Sequence, residues 1–138
     1  MIFRGIFQAD SIPVLERVLS FTEARHRVLA ANVANAETPG YRRKDLPVKA
    51  FNRRLIEAIE RRRTEPGRFV MGPVPKEARA QEAGLNAGML RHDGNNVDID
   101  REMALLARNA LLHNTVAALL RAKYGALRRA VSGRSTTA

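Results

Sequence analysis

Mostly apolar positions recur along residues 12–36 at alternating steps of four and three: Leu15, Leu19, Thr22, His26, Leu29, Val33 and Ala36. A neighbouring row runs Val14, Val18, Phe21, Arg25, Val28 and Asn32. Two adjacent rows make one broad, moderately apolar face on a helix, with Arg17, Glu23 and Arg27 left for solvent or partners. The pattern predicts a helix from about Ile12 to Ala36. Pro13 suits its first turn, where a missing amide proton costs nothing, and Ser11 is placed to cap it. The helix must end by Thr38-Pro39-Gly40-Tyr41, because Pro39 disfavours helical geometry at Thr38 and Pro-Gly suits the centre of a type II turn.

The most regular stretch lies at the other end. From Ile99 the positions Met103, Leu106, Ala110, His113, Ala117, Leu120, Tyr124, Leu127 and Val131 step by four and three, all but His113 suited to an apolar seam. Asp98, Asp100 and Glu102 stand at the start and Arg128 and Arg129 near the end, matching the helix dipole, with Gly133 as a stop. Further rows, Leu105-Leu112-Leu119 and Ala104-Leu111-Ala118, repeat at seven-residue spacing. A helix apolar on several sides needs more neighbours than one partner helix supplies, so these rows predict burial by other subunits.

Between the two helices, order is sparse. Residues 37–97 hold five of the six prolines and six of the nine glycines. Phe51, Leu55 and Ile59, spaced by four, predict a short amphipathic helix over about Ala50–Arg62. From Thr64 to Asn96 no periodicity persists, which reads as short strands or a flexible linker, closed by the turn chemistry of Asp93-Gly94-Asn95-Asn96. The expected fold is mainly α: long N- and C-terminal helices paired as an antiparallel coiled coil, with an irregular middle. Its three parts are residues 1–36, 37–97, and 98–138 with the tail.

Composition narrows the function. The 138 residues suffice for one modest core, and the absence of Cys excludes disulfides and thiolate chemistry. Two Tyr, five Phe and no Trp favour helices packed through Leu, Val, Ile and Ala. The net charge of +10 divides as +1 over residues 1–36, +5 over 37–97 and +4 over 98–138, with acids interspersed throughout. A solvated basic surface accounts for this, including Arg42-Arg43-Lys44 and Arg61-Arg62-Arg63, and a basic helical nucleic-acid-binding protein is the alternative. Against that alternative, the long helices spend their surface on Leu and Ala, so no nucleic-acid partner is expected.

Neither a secretory signal peptide nor a run of about 18 apolar residues that could span a bilayer is evident. The three histidines, at 26, 92 and 113, form no i, i+4 pair, and neither a G-x-S-x-G elbow nor a phosphate-binding glycine loop occurs. No catalytic, metal or cofactor residues are therefore assigned, and the chain is read as a non-enzyme. His113 reads as a satisfied interface histidine. Asn32 and Asn35 either set register or bond across subunits, or bond the backbone of the following turn.

Two longer motifs carry a resemblance. Val28-Leu29-Ala30-Ala31-Asn32-Val33-Ala34-Asn35-Ala36-Glu37-Thr38-Pro39-Gly40-Tyr41 resembles the N-terminal signature of flagellar rod and hook proteins. Asp93-Gly94-Asn95-Asn96-Val97-Asp98-Ile99-Asp100-Arg101-Glu102-Met103 resembles one branch of them, the proximal-rod family of the FlgB type. The resemblance implies a structural subunit of the flagellar basal body, located in the periplasm-spanning rod and self-assembling into a tube that transmits torque and encloses an export channel. It further implies export through the flagellar type III apparatus without a cleaved signal peptide. The implied partners are copies of the chain, adjacent rod proteins and the adaptor at the membrane ring; peptidoglycan contact is left open. Packing between helices and subunits is expected to fall on Leu15, Leu19, Leu29, Val33, Met103, Leu106, Leu120, Tyr124 and Leu127. The motif and turn residues are Asn32, Asn35, Thr38, Pro39, Gly40, Tyr41, Asp93, Gly94, Asn95, Asn96, Val97, Asp98, Glu102 and Met103.

Overall fold

A computed structural model describes residues 11–65, 69–74, 92 and 94–133. Three helices account for most of them: α1 (Ile12–Ala34), α2 (Val48–Thr64) and α3 (Ile99–Val131). Most of the aperiodic stretch from Thr64 to Asn96 (residues 66–68, 75–91 and Asp93) lies outside the described residues.

α1 and α3 pair antiparallel. Glu16 of α1 meets Tyr124 near the end of α3, Thr22 meets Asn109 and His113, and Asn32 meets Glu102 at its start. α2 lies over this hairpin through Phe51, Leu55 and Ala58. The Phe51 ring stacks on Phe21 of α1 with centroids 4.0 Å apart. Val14, Leu15, Val18, Leu46 and Val116 complete the buried cluster, and Phe69, Met71 and Val74 pack against its edge.

The helix ends differ from expectation in instructive ways. Ser11 stands at the cap position of α1, but its backbone is already helical, at φ −79° and ψ −8°. A capping hydroxyl needs extended geometry to reach the first free amides. The Ser11 hydroxyl makes no capping bond and is buried without a partner among the described residues. At its other end α1 stops at Ala34, two residues early: Asn35 leaves helical geometry at φ −104° and ψ 13°, and its side chain bonds back to the Ala31 carbonyl at 2.8 Å. α2 runs two residues further at each end than the Phe51-Leu55-Ile59 spacing implied. α3 begins where expected: the Asp98 carboxylate accepts the Arg101 amide at 3.2 Å.

At about 1.5 Å per residue, the 33 residues of α3 span about 50 Å. Contrary to the reading of the bare sequence, α3 holds an 18-residue window long and apolar enough, by length and composition, to cross a membrane. Arg108, Asn109, His113 and Asn114 break any uninterrupted run, but the surrounding Leu and Ala outweigh them on average.

Candidate functional site

The two motifs, bonded between residues 57 to 70 apart in sequence, close on each other at the connected end of the hairpin, where α1 ends and α3 begins. Asn32, on the last turns of α1, is fully buried and uses its entire hydrogen-bonding capacity. Its amide nitrogen donates to the Lys44 carbonyl (2.6 Å) and to Glu102 Oε2 (2.9 Å). Its oxygen accepts from the Lys44 amide (3.0 Å) and the Tyr41 hydroxyl (3.2 Å). A buried amide with all four positions filled has its desolvation offset by its partners and penalises any other alignment, which would leave it unpaired.

Glu102 lies on the first turn of α3 with its side chain 0% exposed. Besides Asn32, it receives the Nε of Arg43, whose side chain is 14% exposed. Arg43 continues to Asp45 at 3.3 Å, and its backbone amide donates to Asn96 Oδ1 at 2.7 Å. Asp45 in turn takes both guanidinium arms of Arg25, at 2.9 and 2.8 Å, and the Leu46 amide at 2.8 Å. Two cations and two carboxylates thus form one compensated chain, as buried charge requires. Burial alone would push the Asp45 carboxyl up. The hydrogen bonds and charge of Arg25, the Leu46 amide and the charge of Arg43 outweigh it and hold the group below the ordinary carboxylate range. Burial, then the charge of Glu102, pushes the Tyr41 phenol up, which keeps it a proton donor to Asn32.

Asn95 performs the complementary task for the α1 terminus. A helix leaves its last carbonyls without intrahelical partners. The fully buried Asn95 amide donates to the carbonyls of Asn35 (3.1 Å), Ala36 (2.9 Å) and Thr38 (2.9 Å), and its oxygen accepts the Val97 amide at 2.7 Å. The turn between is the one the sequence announced. Gly40 has φ +71° and the Tyr41 amide reaches the Thr38 carbonyl at 3.2 Å. Gly94 has φ +76°, and a Cβ there would sit 3.8 Å from the Gly40 Cα, so the two motifs meet glycine to glycine.

Asn35 bonds locally, to Ala31 and Thr38, whereas Asn32 does both things at once: it bonds the Lys44 backbone beyond the turn and joins α1 to α3 through Glu102. Of the remaining motif residues, Val97 is buried, Asn96 partly so, and Thr38, Pro39 and Asp98 are exposed. Arg43 corrects the reading of the basic cluster as solvated surface: Arg42 and Lys44 are exposed, but Arg43 is sequestered in the ion-pair chain.

Among the packing residues, Leu15 and Leu29 are fully buried. Leu19, Val33, Leu106 and Leu120 are half-buried, while Met103, Tyr124 and Leu127 are about half exposed in the single chain. The row of α3 that turns most directly to α1 is Glu102-Asn109-Val116, one position removed from Met103-Ala110-Ala117. An apolarity pattern misses that row because two of its members are polar. Asn109 donates to the Thr22 carbonyl at 2.8 Å, and the Thr22 hydroxyl lies 3.0 Å from His113 Nδ1. Arg25 and Asn32, the two polar members of an otherwise apolar row on α1, were the visible signs of a buried polar network.

Comparison with known proteins puts these features in context. The chain is 31% identical to the flagellar basal body rod protein FlgB of Aquifex aeolicus, over 97% of this chain and 98% of that protein. It is 24% identical to the Bacillus subtilis protein of the same name, over 91% and 95% of the two chains. With the Salmonella typhimurium protein of that name it shares 32% identity over 70% of this chain and 74% of the other. No family model matches the chain.

Proposed function

The chain belongs to the FlgB family of flagellar basal-body rod proteins, and from that premise we propose that copies of it pack through α3 into the helical wall of the proximal rod. It is thus a structural component of the flagellar basal body that associates with other flagellar proteins. The observation that carries the proposal is the incomplete burial of α3. Of its 33 residues only Glu102, Asn109 and Val116 are buried, while Leu111 is 70% and Val131 87% exposed. Leu112, Leu127, Met103 and Ile99 add further apolar surface along the same helix. A face of that length left to water favours association, and at about 25 cal/mol per Å² its coverage by neighbours is a substantial driving force.

In this reading, residues 12–34 and 99–131 stand along the rod axis as one hairpin, and the segment between them contributes outer contacts. The assembled tube spans the periplasm, transmits torque and encloses the export channel. Its other partners are the adjacent rod proteins and the adaptor at the membrane ring. Delivery is through the flagellar type III apparatus, using N-terminal sequence that is not cleaved. The work is mechanical, with no catalytic step. A nucleic-acid role finds less support, since Arg25 and Arg43, two of its basic residues, are already held by Asp45 and Glu102.

Leu111→Asp tests the proposal, because its side chain touches solvent rather than the hairpin core. The purified variant should keep the helix content and melting temperature of the parent. Cells carrying it should export the protein yet build no rod and fail to swim. Normal swimming at normal expression would show that this face is not covered by a neighbour.

A further inference from the structure

The rows of α3 differ in a way that assigns them different partners. The row turned to α1 is Glu102, Asn109, Val116, and the row it meets on α1 is Leu15, Thr22, Leu29, both at seven-residue spacing. With Asn109 bonded to Thr22, antiparallel heptad steps bring Val116 level with Leu15, and Glu102 level with Leu29 near Asn32. A slip of one heptad would place the Asn109 amide against Leu15 or Leu29. It would also carry Glu102 away from both Asn32 and Arg43, leaving a carboxylate without its cation in an apolar interface. The outer rows hold no such key. Leu105-Leu112-Leu119 presents Leu at every step and Ala104-Leu111-Ala118 only Ala and Leu, so a seven-residue slide strands no polar or charged group in either.

We infer that Glu102 and Asn109 reserve one face of α3 for the α1 of the same chain in a single register, while the outer rows accept neighbouring copies in several registers. This rests on the reading that copies cover the outer rows. The physical basis is the asymmetry between satisfied and unsatisfied buried polar groups. Such groups add little net stability in the right alignment and cost heavily in a wrong one. Asn109 is the sharper member, because its acceptor is a helix carbonyl. Removing the amide therefore strips no buried donor of its partner, whereas removing Glu102 leaves Arg43 and Asn32 partly unpaired.

The experiment uses the full chain, which contains no Cys, with spin labels on His26→Cys and Arg121→Cys, both exposed. In the bonded register these positions lie about sixteen residues apart along the hairpin, or roughly 24 Å, and a heptad slip moves them by about 10 Å. Electron–electron distance measurement should give a single population in the labelled parent. Asn109→Leu should add a second population displaced by about 10 Å, with no loss of helix by circular dichroism. The double variant Glu102→Leu/Arg43→Leu, which removes both halves of the charge pair, should do the same. One unshifted distance in both variants overturns the inference. So does loss of helix in both, since the row would then be needed for folding rather than for register. Leu111→Asn, on an outer row, should leave the distance unchanged. If the parent keeps one register but its copies never cover the outer rows in the assembled rod, the assembly reading fails separately from the register key.

Discussion

Arg43→Met puts the ion-pair chain to its most demanding test. The Arg43 guanidinium bridges two carboxylates, on Glu102 and Asp45, whose side chains are 0% and 9% exposed. Asp45 survives the loss because Arg25 still grips it bidentately at 2.9 and 2.8 Å. Glu102 does not: it keeps only the Asn32 amide and becomes a buried carboxylate without a cation. Breaking a buried pair by removing one partner costs about 3–5 kcal/mol. Against a typical domain stability of about 5–15 kcal/mol, that is a large fraction, visible as a lower denaturant midpoint at unchanged slope. Arg43→Lys should recover only part of the loss, since one ammonium on a flexible stem cannot reproduce a planar fork aimed at two carboxylates. Arg43→Met combined with Glu102→Leu should be more stable than Arg43→Met alone, because the orphaned charge is gone. The measurement is urea unfolding of the four proteins followed by circular dichroism. If Arg43→Met lies within about 0.5 kcal/mol of the parent, as an exposed substitution would, the junction does not hold the motifs together.

Gly40→Val should lower the melting temperature and impair rod assembly, because a β-branched residue tolerates the +71° φ at this position worst; a parental melt would count against the turn. Acid should weaken the junction. The folded Asp45 carboxyl is held below its unfolded value of about 3.9, so its contribution is complete above that pH and lost as pH falls through the folded value. Stability measured from pH 6 downward should fall in that window, and Asp45→Asn should flatten the fall. Phe51→Ala removes a fully stacked ring from beneath α2 and should cost about 3–5 kcal/mol by the same urea assay, since little around it can collapse. Asn95→Leu strips the carbonyls of Asn35, Ala36 and Thr38 of a shared donor, and should raise amide hydrogen exchange around residues 35–41 before it raises exchange in α3.

Much of the architecture follows from local rules and was legible in the chain. Heptad spacing alone announces α1 and α3, because a periodicity of 3.5 to 3.6 is a property of successive residues. Asp98 and the Pro39-Gly40 turn are equally local, since one carboxylate near an amide and one positive φ settle them. What the sequence could not determine is which face of α3 meets α1. Apolar rows ran around most of that helix, and burial depends on the partner as much as on hydrophobicity. Glu102 and Asn109 are admitted to the interface because Arg43, Asn32 and the Thr22 carbonyl wait there, each contributed by a segment 59 to 87 residues away. The same reason hid Arg43 within a run of basic residues. A guanidinium is a solvated charge or a buried strut according to the carboxylates that face it, and only the tertiary fold brings Glu102 to that place.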